Sequence, residues 1–199
     1  MKLNKPTELN KPTVSEIEKY AAAFDSNGAG TSYRAIKKLV SAFPKNDDLE
    51  DVLIKVTVIN ALYSTNIKSL LPVAKKIFES KIDKQIHGSS PSERIVNDIA
   101  VVENKNKKRN NYSFTTKYCH FHNENFYPIW DSYVDRLLKA YNKRDKFFPG
   151  KANLRKFDEF KAFLGKFREH YKISEQKVSW PKLDKFLWGY GKEVFPKIY

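Results

Sequence analysis

Lys117 and Asp131 are the two residues of this chain whose types and spacing combine most directly into chemistry. The stretch 113–134 reads SFTTKYCHFHNENFYPIWDSYV. Ser113 is a good N-cap, which predicts a helix over 114–122 with Lys117 in its first turn. From Lys117 to the end of that helix the chain climbs about 7.5 Å, at about 1.5 Å per residue. The loop 123–130 can return over that distance, since extended chain covers about 3.3 Å per residue. Pro128 stiffens the return. Asp131 then caps a helix over 132–141, with apolar Val134, Leu137, Leu138 and Tyr141 at helical spacing. The spacing thus predicts an amine and a carboxylate facing one another across a cleft. A neutral lysine amine adds to carbonyl-like carbon to form an imine, and a carboxylate stabilises positive charge growing beside it. Spacing alone leaves a second reading open, a solvated lysine and an aspartate that only caps a helix.

The same residues resemble the catalytic core of the helix-hairpin-helix (HhH-GPD) DNA glycosylase superfamily. In that superfamily a helix after the hairpin carries a lysine, and a short loop leads to P-x-D at the next helix. The matching positions here are Lys117 and the Asp131 of Tyr127-Pro128-Ile129-Trp130-Asp131, followed by Ser132-Tyr133-Val134-Asp135-Arg136-Leu137. Upstream, Asn60-Ala61-Leu62-Tyr63-Ser64-Thr65-Asn66-Ile67 resembles the helix end and turn that insert side chains into the duplex. The resemblance covers residues 50–142. It implies an all-α, two-lobed fold with a central cleft, and a DNA glycosylase that flips and excises a damaged or modified base. It places Asp131 opposite the developing sugar cation and Lys117 as the nucleophile, with lyase activity if an imine forms. Where the family has a glycine-containing turn before the lysine helix, this chain has Lys107-Lys108-Arg109-Asn110-Asn111-Tyr112. Asn110 or Asn111 is then expected to take the left-handed conformation in glycine's place.

Tyr63, Tyr127 and Trp130 are the aromatic candidates for stacking on an extruded base, and Ser64, Thr65 and Asn66 for insertion into the duplex. His120 is read as a core or pocket histidine. Cys119, His120 and His122 do not make a metal site, because His120 and His122 diverge by about 200° on a helix. No cofactor is expected. Lys105, Lys107, Lys108 and Arg109 form the densest basic cluster, read as a flexible loop that grips phosphates beside the reaction centre, or as plain solvated surface.

These residues sit in a chain of 199 with 41% hydrophobic content, enough for one domain with a core. The formal net charge is +14, which points to a polyanion, and nucleic acid first. The expected partner is double-stranded DNA, bound by a monomer. A single cysteine excludes an internal disulfide and a four-cysteine cluster. No apolar run approaches the roughly 20 residues of a membrane span, and no signal-peptide core is present. The expected location is the cytoplasm.

Along the chain, residues 1–12 read as an extended N-terminal arm and 13–199 as one two-lobed helical domain. Thr13-Val14-Ser15-Glu16 fits a capping box opening a helix to about residue 24. Asn27-Gly28-Ala29-Gly30 reads as a linker. Helices follow over 32–43 and 48–63, the second apolar nearly all round and therefore expected to be the central buried helix. A helix to residue 80 is expected to kink or restart at Pro72, 82–88 to connect, and 93–103 to be helical. An amphipathic helix is expected over 154–171 and a short one, ended by glycines, over 180–191.

Overall fold

A computed structural model describes residues 9–104 and 107–196. Residues 1–8 of the expected arm and Lys105 of the basic cluster lie outside the described residues. The chain is predominantly helical: α1 (Val14–Asp25), α2 (Gly28–Ala42), α3 (Leu49–Tyr63), α4 (Leu70–Glu79), α5 (Asp83–His87) and α6 (Ile95–Ala100) come first. The strands β1 (Val101–Asn104) and β2 (Lys107–Asn110) follow, then α7 (Tyr112–His122), α8 (Ser132–Asp145), α9 (Phe157–Tyr171) and α10 (Trp180–Val194). Among the described residues no helix is long and apolar enough to cross a membrane.

Side-chain caps start α1, α2, α3 and α8. Thr13 Oγ1 accepts the Glu16 amide at 3.2 Å and starts α1, but the other half of the expected capping box does not form, since the Thr13 amide donates to Lys11 O. The expected linker 27–30 is instead the start of α2, because Asn27 Oδ1 accepts the amides of Ala29 and Gly30. Gly30 is required there: a Cβ would lie 2.6 Å from the carbonyl oxygens of Phe24 and Asp25. Pro72 neither kinks nor restarts a helix. It sits in the first turn of α4, where an amide hydrogen has no helical acceptor to lose. The expected connector 82–88 contains α5, and the helix expected over 93–103 gives way at Val101 to β1. At the other end, α10 runs on through Gly189 and Gly191 to Val194.

The central buried helix is α7, not α3. All residues of α7 from Phe114 to His122 are buried, and α7 packs against α2, α3, α5 and α6. α3 buries Val52, Lys55, Val56 and Ile59 but leaves Ile54 and Leu62 more than 40% exposed. The error has a physical cause. α7 holds polar residues that find partners inside the protein: Thr115 Oγ1 donates to Tyr112 O, and Thr116 Oγ1 to Ser113 O. A polar sequence can therefore be a core sequence. On the far side, α10 packs on α1 and α8. The described end of the arm straps this group: the Asn10 amide donates to Tyr190 Oη at 2.7 Å, and Tyr141 Oη donates to Asn10 O at 2.7 Å.

Candidate active site

The loop 123–131 and the two helices it joins bring Lys117 and Asp131 to one cavity of about 530 Å³. Tyr63, Ser64, Thr65, His120 and Trp130 also line it, as do Tyr33, Arg155, Asp184, Lys185, Trp188 and Lys192. Seven of the residues singled out by sequence thus meet at one place. Asn66 is not among the lining residues; it takes a left-handed backbone (φ 59°) in the turn beyond Thr65. Tyr127 is no stacking surface. It is wholly buried, and its hydroxyl lies 3.0 Å from Ser92 O and 3.3 Å from Gln85 O.

Lys117 stands 3% exposed. Ser113 is not the N-cap, which is Asn111; it lies inside the first turn of α7, where it meets the amine four residues on. Lys117 Nζ donates to Ser113 Oγ at 2.8 Å, Ser113 O at 3.1 Å and Trp130 O at 3.4 Å. It also lies 5.7 Å from the centre of the Tyr63 ring. Burial pushes the amine below the ordinary lysine range, and the charges of Asp131 and Asp184 oppose that shift. Among the described residues no ion pair within 4.0 Å joins Lys117 to a carboxylate. Asp131 caps α8 as expected: Oδ1 accepts the amides of Tyr133 at 2.9 Å and Val134 at 3.0 Å. Oδ2 of Asp131 takes no hydrogen bond among the described residues.

Asp184 was not legible as a site residue, although one signal was present. It lies on the face of α10 that also carries Trp180, Leu183 and Leu187, an acid on an apolar stripe. Oδ2 accepts the Ile129 amide at 3.0 Å and lies 3.5 Å from His120 Nδ1, while Oδ1 is buried without a partner. Burial drives this carboxyl well above the ordinary range. His120 is buried and its pKa is brought down to about 4 by loss of solvent, so the ring is neutral at pH 7. Its Nδ1 meets Tyr127 O at 2.8 Å and its Nε2 meets Tyr33 Oη at 3.1 Å.

Cations at the rim rest on aromatic faces. Arg155 lies 5.2 Å from the Trp130 ring centre, Lys192 5.1 Å from Trp188 and Lys185 5.1 Å from Tyr33. The described part of the basic cluster is elsewhere and lies on a strand. Lys107, Lys108 and Arg109 stand exposed on β2, paired antiparallel with β1 in the register Val102↔Arg109 and Glu103↔Lys108. Lys107 and Arg109 line a separate groove of about 300 Å³ with Lys68, Ser69 and Asn111. The hairpin explains the missing glycine: neither Asn110 nor Asn111 is left-handed, and Asn111 enters α7 at φ −95°. The Asn111 amide donates to Ala100 O at 2.8 Å, closing the ladder at the helix start.

A family model named HI_0787_N, described as an N-terminal domain, matches residues 16–126, more than half of the chain. The chain belongs to the HI_0787_N family. A relative from Haemophilus influenzae (strain ATCC 51907 / DSM 11121 / KW20 / Rd), titled "Uncharacterized protein", is 38% identical over 151 residues. The match spans 75% of this chain and 70% of the relative. No solved structure matches the chain. The HI_0787_N match takes in Tyr33, Tyr63, Lys117 and His120, whereas Asp131 and Asp184 lie beyond its end. The cavity is therefore built from the HI_0787_N segment on one side and from α8 and α10 on the other.

Proposed function

We propose that this protein is a DNA glycosylase that extrudes a damaged or modified base from double-stranded DNA and excises it. The observation that carries the reading is the meeting of Lys117, Asp131 and the 63–65 turn at one cavity with aromatic walls. A cavity of about 530 Å³ is ample for a nucleobase, and Tyr63, Trp130 and Trp188 are among the residues that line it. Once a base enters, positive charge grows on the sugar as the glycosidic bond lengthens. The Asp131 oxygen left free by the cap can face that charge. Burial favours the neutral amine at Lys117, the form that attacks the anomeric carbon and gives lyase activity through an imine. We read α2 to α7 as one lobe and α1, α8 and α10 as the other, with the cavity between them. Arg155, Lys192 and the Lys107–Arg109 hairpin would hold phosphates, acting as a monomer in the cytoplasm. Repair and defence against modified phage DNA are the two settings for such an activity.

One observation favours a second reading, a basic helical DNA-binding protein without catalysis: the Lys117 amine is already engaged by Ser113 and Trp130 oxygens. The deciding experiment incubates the protein with duplexes carrying a panel of modified bases and scores abasic sites. Base release supports the glycosylase; tight binding with no release from any duplex assigns the second reading.

A further inference from the structure

We infer that Lys185 is a specificity-determining residue: it accepts a neutral base bearing a carbonyl oxygen and turns away a cationic, ring-alkylated one. The inference rests on the glycosylase reading and adds base selection to it. Its ground is the surroundings of the Lys185 amine. Lys185, Phe24, Tyr33 and Trp188 all line the cavity. Nζ lies 5.1 Å from the Tyr33 ring centre and 5.5 Å from that of Phe24. Phe24 meets Trp188 and Tyr33 edge to face, at 5.6 and 6.1 Å between ring centres. The Lys185 side chain is 15% exposed and so is sheltered, whereas Arg155 and Lys192 are exposed. An ammonium has three hydrogens to give. Asp25 Oδ1 takes one at 2.7 Å, and among the described residues no other acceptor meets Nζ. Two hydrogens are left for a ligand.

Two features set what that ligand can be. Ring faces around a cavity attract a cation. Here the protein's own ammonium already rests on two of them, and a cationic base would meet like charge. Asp25 does not relieve this. It pairs with Nζ but is not among the residues that line the cavity, so a ligand meets the ammonium and not its counter-charge. Glu124, near Tyr33, is already engaged by Lys37 at 2.9 Å and by Tyr33 Oη at 2.7 Å. Burial drives the Asp184 carboxyl toward its neutral form. A carbonyl oxygen only accepts, and so it suits the two remaining Nζ hydrogens.

The Lys185 end stands beside the reaction centre. Lys117 Nζ lies 5.7 Å from the Tyr63 ring centre, as Lys185 Nζ lies 5.1 Å from that of Tyr33. Both tyrosine rings pack on Phe121, at 5.7 and 5.1 Å between ring centres. One aromatic wall thus carries an amine at each end. A base whose sugar carbon is held at Lys117 and Asp131 extends along that wall toward Lys185. The two helices that set the position of Lys185 are α10, which carries it, and α1, whose last residue is Asp25. They pack on one another, with Leu183, Phe186 and Leu187 of α10 buried. Lys185 touches the base and not the breaking bond, so it governs which base is held.

The test uses two bases of one shape, each placed in the same duplex. N1-methyladenine is a cation at neutral pH. N1-methylhypoxanthine is neutral and has a carbonyl oxygen where the other has its amino group. The methyl blocks Watson–Crick pairing in both, so both are open to extrusion. In equilibrium binding, wild type should prefer the N1-methylhypoxanthine duplex by about 10–100-fold, the range of a hydrogen bond to a charged group. Lys185→Met should lose most of that ratio, and Lys185→Arg, which keeps the charge, should retain it. Methionine is a good helix former and a half-exposed ion pair is worth little, so the variant should fold. A lysine that only attracted phosphate would weaken both duplexes equally and leave the ratio unchanged. A wild-type ratio near one, or a ratio unchanged in Lys185→Met, overturns the inference; base release from other duplexes would then leave the glycosylase reading standing. A ratio lost in Lys185→Met, with no base released from any duplex, keeps Lys185 as the selecting residue and refutes the glycosylase reading instead.

Discussion

Replacing Lys117 by methionine should stabilise the fold while removing its chemistry. Burying an ammonium costs several kcal/mol, and this one has no carboxylate within ion-pair distance among the described residues. Two good hydrogen bonds, at 2.8 and 3.1 Å, return about 1.5–3 kcal/mol each, and the third, at 3.4 Å, returns less. The acceptors do not need the amine. Trp130 O also receives the Ser113 and Thr116 hydroxyls at 3.3 Å, and Ser113 O also receives Thr116 Oγ1 at 3.0 Å. Methionine therefore leaves no orphan and buries apolar surface in place of a charge. The cost and the returns nearly cancel, and the added apolar burial leaves an expected gain of about 1 kcal/mol, at about 2–4 °C in Tm per kcal/mol for a chain of this size. The gain should depend on pH. The folded amine titrates below its unfolded value, so between the two the unfolded state binds more protons and wild-type stability rises with pH. The advantage of methionine is then largest below the folded pKa and shrinks as pH climbs toward the unfolded one. Urea titrations at several pH values read both quantities. A loss of stability above about 1 kcal/mol would refute this reasoning and make Lys117 an ordinary structural lysine.

Lys55→Met should do the opposite, costing about 2–4 kcal/mol in the same titration. Its Nζ donates to Asn46 Oδ1 at 2.8 Å and to Phe43 O and Lys45 O in the segment after α2, and truncation takes a donor from the buried Asn46 side chain and from both carbonyls. Gly30→Ala should destabilise by about 1–3 kcal/mol, since the new methyl meets two backbone oxygens at 2.6 Å; a thermal melt decides it. Neutralising Lys107, Lys108 and Arg109 together should lower the slope of log affinity for duplex against log salt by about two to three, at about 0.9 per phosphate contact. An unchanged slope would assign the hairpin to solvation.

The sequence carried local chemistry well and burial poorly. Caps at Thr13 and Asp131 were readable because a short polar side chain before an apolar repeat has one good use. The grouping of Lys117, Asp131, Tyr63 and Trp130 was readable through the resemblance. Tyr127, which resembles its neighbours by type, turns away to bond Ser92 O, and only the position of 85–92 decides that. The burial of α7 was hidden because its threonines and histidines read as surface, and the partners of Thr116 and His120, Trp130 O and Tyr127 O, lie on the following loop. The 101–110 hairpin was hidden because a run of lysines, an arginine and asparagines has low strand propensity and pairs only where β1 is pinned by α6 and α4. Asp184 needed a contact 55 residues away, with Ile129, to become visible.

The most direct test of the central claim is base release and borohydride trapping by wild type, Asp131→Asn and Lys117→Gln on the same modified duplexes. Wild type should release a base and leave a trapped adduct. Asp131→Asn should bind DNA equally and fold equally, since asparagine caps nearly as well, yet lose release by about 10²–10³-fold. Lys117→Gln should give no adduct. Release that survives in Lys117→Gln but not in Asp131→Asn would make water the nucleophile beside the same carboxylate. Wild-type behaviour from both variants, on a substrate the wild type cleaves, would contradict the account and place the chemistry elsewhere.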